Sequence, residues 1–263
     1  MVSSALSPRL GGCSTATLSE AQLWEPPPLP DREVPLHLHR ALVFSLVLSG
    51  QFHFRDVFTQ RSEVLRAGEV MLAEPGSVLS GRQSGRFRTL MIPLDPWSLQ
   101  GGSSRGTFKL QDRATLELVH AALQPGGDAR DLAARLLRRW RLRNSPLSCP
   151  EGDLQPDQLS RLEEARQWLE ADPGSRRDLQ TAARFVGWHP HHFQRLFRRR
   201  YGLSPAQYQR QLRIEQARDR LKQGEAPAAV AVELGFTDQS HLIRTYRQYY
   251  GVTPGFIART SYS

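Results

Sequence analysis

Between residues 34 and 95 the apolar positions fall into short runs and loose alternations divided by turn residues. Ala41 to Leu48 is an apolar run that stops at Ser49-Gly50. Gln51-Phe52-His53-Phe54-Arg55 and Val57 to Leu65 alternate, Gly68-Glu69-Val70-Met71-Leu72 leads into the turn Glu74-Pro75-Gly76, and Phe87 to Leu94 closes the series. Short strands at this spacing predict an all-β sandwich or barrel. From residue 112 the period changes. Leu116, Val119, His120 and Leu123, then Leu132, Leu136, Leu137 and Trp140, recur at helical spacing on either side of Pro125-Gly126-Gly127, which predicts an antiparallel helix pair. Asn144 to Pro156, with three prolines and a glycine, reads as a linker. Everything beyond it reads as helical. The longest helix is predicted over Pro205 to Gln223, with proline in its first turn and Gly224 after its end. Ahead of the strands, residues 1–29 read as a loose arm that includes the extended run Pro26-Pro27-Pro28.

Within the helical region a single pattern occurs twice. Gly187-Trp188-His189-Pro190-His191-His192-Phe193-Gln194-Arg195-Leu196-Phe197 runs on to Tyr201-Gly202-Leu203-Ser204-Pro205. Gly235-Phe236-Thr237-Asp238-Gln239-Ser240-His241-Leu242-Ile243-Arg244-Thr245-Tyr246 runs on to Tyr250-Gly251-Val252-Thr253-Pro254, with one extra residue in the turn. Each copy is a turn followed by a short basic amphipathic helix, and each is preceded by a helix with small residues, Leu179 to Val186 in one case and Pro227 to Leu234 in the other. Asp178 is placed to cap the first of these, and Thr237 or Asp238 the last recognition helix. Two helices joined by a sharp glycine turn are how a helix-turn-helix presents a recognition helix to DNA. Phe193, Leu196 and Phe197 share one face in the first copy; Leu242, Tyr246 and Tyr249 do so in the second. His191, Gln194, Arg195, Arg198 and Arg199, and Gln239, Ser240, Ile243, Arg244 and Arg247, are left outside. A helix from Pro205 to Gln223 would hold the two units roughly 28 Å apart, near the one-turn repeat of B-DNA of roughly 34 Å.

Charge agrees with this. The net charge is +9 and the pI about 10.3, and most of the surplus lies in residues 157–263. Basicity alone would also suit RNA or a membrane surface. Arginine supplies every basic residue except Lys109 and Lys222, a usage that GC-rich coding also produces. Cys13 and Cys149 have no metal-ligand spacing, so neither a disulfide framework nor a structural zinc is expected, and a soluble protein of a reducing compartment is. His189, His191 and His192 do not converge on one helix face and are not expected to bind metal.

About residues 158–260 resemble the C-terminal domain of the AraC/XylS transcription regulators. The resemblance is carried by Ala183 and Gly187 with Arg195 and Phe197, by Gly202-Leu203-Ser204-Pro205 with Tyr208, by Leu212-Arg213-Ile214 with Ala217, by Val232 with Leu234-Gly235-Phe236, by Ser240-His241-Leu242 with Arg244, and by Gly251-Val252-Thr253-Pro254. His189 stands where a capping serine is usual. The resemblance implies base contacts from His191, Gln194 and Arg195 in the first unit and from Gln239, Ser240, Ile243 and Arg244 in the second. Arginine pairs bidentately with guanine and glutamine with adenine, while isoleucine offers only an apolar surface for a thymine methyl. Arg198, Arg199 and Arg247 are placed for phosphates, which set affinity rather than sequence.

Upstream, His37-Leu38-His39 followed by Gly68 and Glu74-Pro75-Gly76 is similar to the cupin-type sensor barrel of many regulators in that family, over about residues 30–98. Catalytic cupins add a glutamate and a further histidine; neither occurs at the matching places here, so no metal, cofactor or catalysis is expected. His37 and His39 are then candidates for contact with a small-molecule effector, or plain strand-edge residues. The expected protein is multidomain α+β: arm 1–29, cupin-like sensor barrel 30–100, helical hairpin 101–143 for dimerisation or packing, linker 144–156, and a double helix-turn-helix domain 157–263 whose units are joined by a long helix. It would act in the cytoplasm as a homodimeric activator that binds double-stranded DNA and contacts RNA polymerase, with no membrane partner. The rivals are a cupin metalloenzyme with a DNA-binding appendage and a non-specific architectural DNA binder.

Overall fold

The computed structural model describes residues 22–93, 106–122, 134–136, 138, 154–175 and 178–256. Among the described residues, seven antiparallel strands lie in the N-terminal region: β1 (Gln22–Trp24), β2 (Leu29–Leu38), β3 (Ala41–Asp56), β4 (Ser62–Arg66), β5 (Val70–Ala73), β6 (Val78–Pro93) and β7 (Thr107–Lys109). Their order is β1-β6-β3-β5-β7, with β2 on β6 and β4 on β3. The ladders trace an open path among the described residues. What stands is therefore an antiparallel sheet domain.

Side-chain alternation gives the sheet two apolar faces. Leu42, Phe44 and Leu46 of β3 pack with Leu90 and Ile92 of β6 and with Val119 of α1 (Arg113–Ala122). Val43 and Val47 face the other way, among Phe52, Met71 and Phe87. Asp112 opens α1 by accepting from the Thr115 N–H at 2.9 Å. The second helix of the expected pair lies mostly outside the described residues; Leu136, which is described, is buried. Cys13 and Cys149 also lie outside them.

Three strand boundaries differ from expectation, each for a local reason. β3 does not stop at Ser49-Gly50. Gly50 (φ 79°) pairs with Gly85 (φ 99°) in the β3–β6 ladder beside a bulge at Val47/Ser49, so both strands bend there and continue. β6 begins at Val78, well before Phe87, because the polar stretch Ser80 to Arg86 is held by backbone pairing to β2 and β3 rather than by apolar alternation. The predicted alternation from Val57 begins in a turn, where Asp56, fully buried, accepts from the Phe58, Thr59 and Thr107 N–H groups at 2.9, 2.7 and 2.9 Å. Part of the expected arm also joins the sheet, as β1 pairs Gln22–Trp24 with Thr89–Met91.

The helical region comprises α2 (Pro156–Ala171), α3 (Leu179–Phe185), α4 (Pro190–Tyr201), α5 (Pro205–Lys222), α6 (Pro227–Glu233) and α7 (Gln239–Tyr250). Asp178 caps α3 through the Thr181 N–H, and Asp238 caps α7 through the His241 N–H, both at 2.7 Å. Ser204 and Gln207 form a reciprocal capping box on α5. The cores of the two units are not private. Leu38 and Val78 of the sheet pack with Leu162, Ala183, Phe193 and Phe197 of the first unit. Leu29 and Val34 join Ile214, Leu234, Leu242 and Tyr246 of the second.

Candidate nucleic-acid interface

On α4 the residues Phe193, Leu196, Phe197 and Tyr201 are buried, which fixes the rotation of the helix. His191, Arg195, Arg198 and Arg199 are exposed on the other side, and Gln194 is half-buried. His189 takes the extended cap conformation without a side-chain cap bond and stacks on His191, with ring centres 5.6 Å apart. The Arg195 guanidinium lies 3.3 Å from Nδ1 of His192, whose ring meets Trp188 edge-on. On α7 the buried residues are Leu242, Thr245 and Tyr246. Gln239, Ser240, Arg244 and Arg247 are exposed, and Ile243 and Tyr249 are half-buried. Every base-reading candidate thus falls off the core face and in the first half of its helix, where the helix dipole is positive and favours an approach to phosphate. Between the units, the 18 residues of α5 span about 27 Å.

His37 and His39 sit elsewhere. They line a cavity of about 560 Å³ between the sheet and the helical region. Their rings meet edge-on at 4.7 Å, and Nδ1 of His37 lies 2.8 Å from the Pro35 carbonyl. Burial pushes both imidazoles below the usual histidine range, His39 well below it, which favours their neutral forms. Among the described residues no group of three or more His, Cys, Asp or Glu is arranged to hold a metal ion. The sheet lines the cavity with Val43, Phe52 and Phe87, and the helices bring Arg218, Lys222 and Tyr250. Burial, and next the charge of Arg218, lowers the Lys222 ammonium from its ordinary value.

Reading the sequence did not find the contacts across this seam, because their partners lie far apart in the chain. Gln211 accepts from the Leu38 N–H at 2.8 Å and donates to the Leu38 carbonyl at 2.5 Å, so one side-chain amide pairs with β2 as a strand would. Arg32 donates to the carbonyls of Arg247 at 3.0 Å, Gln248 at 2.8 Å and Tyr249 at 3.4 Å. Burial pushes the Arg32 guanidinium down to about 10. A local signal was present for Gln211: a polar residue three positions from Tyr208 and from Ile214, both buried on α5.

The comparisons with known proteins fit this geometry. A family described as a helix-turn-helix domain matches residues 182–260. MarA, the multiple antibiotic resistance protein of Escherichia coli, is 31% identical over 88 residues, which cover 33% of this chain and 69% of MarA. YbfI of Bacillus subtilis, an uncharacterised HTH-type transcriptional regulator, is 31% identical over 87 residues, and the match spans only 32% of its length. The fold as a whole is similar to that of ToxT from Vibrio cholerae. An apo K231A form has a TM-score of 0.59 at 11% identity, covering 91% of this chain and 96% of ToxT. A form with an unsaturated fatty acid bound has a TM-score of 0.58 at 12% identity, covering 90% and 94%. A matched pair of helix-turn-helix units, joined by a helical strut and carried behind an antiparallel sheet domain, places this chain in the AraC/XylS family of helix-turn-helix transcription regulators.

Proposed function

We propose that the chain is an effector-responsive activator that reads an asymmetric DNA site with two unlike recognition helices. The observation that carries this is the difference between equivalent positions: His191, Gln194 and Arg195 on α4 against Gln239, Ser240, Ile243 and Arg244 on α7. Arg198, Arg199 and Arg247 would hold phosphates on either side. Residues 157–263 form the DNA-binding domain in this reading, 144–156 the linker, 101–143 a hairpin that pairs two copies, 30–100 a cupin-type sensor barrel and 1–29 an arm. Contact with RNA polymerase and action in the cytoplasm belong to the same proposal. Selection of bound fragments from random DNA tests it. The expected result is a site of two unlike halves about one helical turn apart; protection of every sequence alike would leave a non-specific architectural binder.

The cavity is the proposed effector site. Its apolar walls suit hydrocarbon, and Arg218 and Lys222 suit a carboxylate, with His37 and His39 lining the same space. The fatty acid bound in ToxT points to the same chemical class, an amphipathic monocarboxylic acid. Titrating the full chain with palmitoleate should show saturable binding. Lys222→Met should weaken it by roughly 10-fold or more, the effect of losing a charged hydrogen bond. Equal binding by the variant would remove Lys222 from the site, and no binding by the wild type would remove the acid.

A further inference from the structure

β2 runs between the two helix-turn-helix units, as α5 does. Its Leu38 end is packed into the core of the first unit and held by Gln211; its Leu29 end is packed into the core of the second. The 10 residues of β2 span about 30 Å, close to the length of α5. The recognition helices meet the sheet domain at equivalent corners. Gly202 closes α4 at φ 74° and Gly251 closes α7 at φ 77°, both left-handed. A Cβ on Gly202 would stand 2.8 Å from Val78 and 3.1 Å from Phe58; one on Gly251 would stand 3.0 Å from Leu29 and 3.1 Å from Arg32. Since Val78 pairs with Leu38, these corners rest at opposite ends of β2.

At the second corner Arg32 takes the last-turn carbonyls of α7, which the helix cannot fully satisfy itself. A guanidinium there also meets the negative end of the helix dipole. We infer that Arg32 is a positioning residue for DNA recognition: by capping α7 from the sheet domain it fixes the direction of the second recognition helix, and β2 serves with α5 as a second strut between the two helices. The leverage is large. α7 has 12 residues and is about 18 Å long, so a tilt of about 10° at its capped end moves the far end by about 3 Å. That is the whole range of a hydrogen bond. The inference rests on the reading that α4 and α7 each contact bases.

The test uses the full chain and the selected DNA site, alongside versions of that site with the first or the second half scrambled. Wild type should lose affinity on either scramble. Arg32→Met keeps the stem and removes the donors; it should bind the intact site more weakly by about what scrambling the second half costs wild type, roughly 10-fold or more. In this variant, scrambling the second half should cost almost nothing further, while scrambling the first half should cost what it costs wild type. Arg32→Lys should restore part of the second-half preference. Leu29→Ala loosens the same corner by another route and should act in the same direction, which covers poor folding of the methionine variant. A purely structural role would reduce the active fraction without changing the preference between halves. Equal losses at both halves, unchanged binding or tighter binding would overturn the inference. A wild type indifferent to its second half would overturn this inference together with base reading by α7.

Discussion

Alanine at Arg195 and Arg244 together is expected to weaken binding to the selected site by roughly 2–6 kcal/mol, each arginine contributing roughly 1–3 kcal/mol of base discrimination. The two effects should add within about 0.5 kcal/mol, because the residues stand on different helix-turn-helix units and share no partner. Each single variant should relax preference at one base pair, and the two positions should lie in different halves of the site. Arg195 starts from a defined place beside His192, itself set against Trp188, so its guanidinium is aimed before DNA arrives. Filter binding at several salt concentrations separates the alternative. A phosphate clamp would lose affinity for all sequences alike, and its removal would reduce the salt slope by about 1 per arginine. The same measurement on Arg198→Ala should give that second pattern. If Arg195→Ala gives it too, α4 does not read bases through that residue.

The double helix-turn-helix was legible in the sequence because its determinants are local. Asp178 announces a helix start, Pro190 and Pro205 fall in first turns, and the i, i+3, i+4 set Phe193, Leu196 and Phe197 fixes which face is buried. The sheet was legible as strands but not as pairings. Nothing in Ser80 to Arg86 advertises a strand, since that segment is ordered by its neighbours on both sides and not by its own apolar period. The cavity was only half legible. His37 and His39, singled out by the cupin-like resemblance, line it, yet Arg32, Arg218 and Lys222 carried no pattern at all, because what joins them is the packing of β2 against α5 and α7. A buried polar residue on α5, as at Gln211, was a pointer to that packing, though Gln209, equally buried, bonds to the Ser175 carbonyl instead.

Gly85→Val should destabilise the sheet domain by about 4 kcal/mol or more, lowering the melting temperature by roughly 10 °C. Two costs combine. Valine is strained at φ 99°, a conformation open to glycine and costing a β-branched residue about 1–3 kcal/mol. Its Cβ would also be driven into the Ser49 carbonyl and the Gly50 Cα, which are backbone atoms in the middle of the β3–β6 ladder and cannot swing aside. Gly68→Val isolates the first cost, because Gly68 has φ 86° but nothing within 4 Å of where a Cβ would stand. Denaturant midpoints of the two variants should therefore differ by the cost of the close approach alone, about 2 kcal/mol or more. The loss should not stay in the sheet. Phe87 and Val47, beside the bend, share a core with Leu234, Leu242 and Tyr246 of the second helix-turn-helix unit. Unfolding should therefore remain a single transition, and DNA binding should fail over the same denaturant range as the sheet. A Gly85→Val protein no less stable than Gly68→Val would mean that β3 and β6 do not approach each other at this bend.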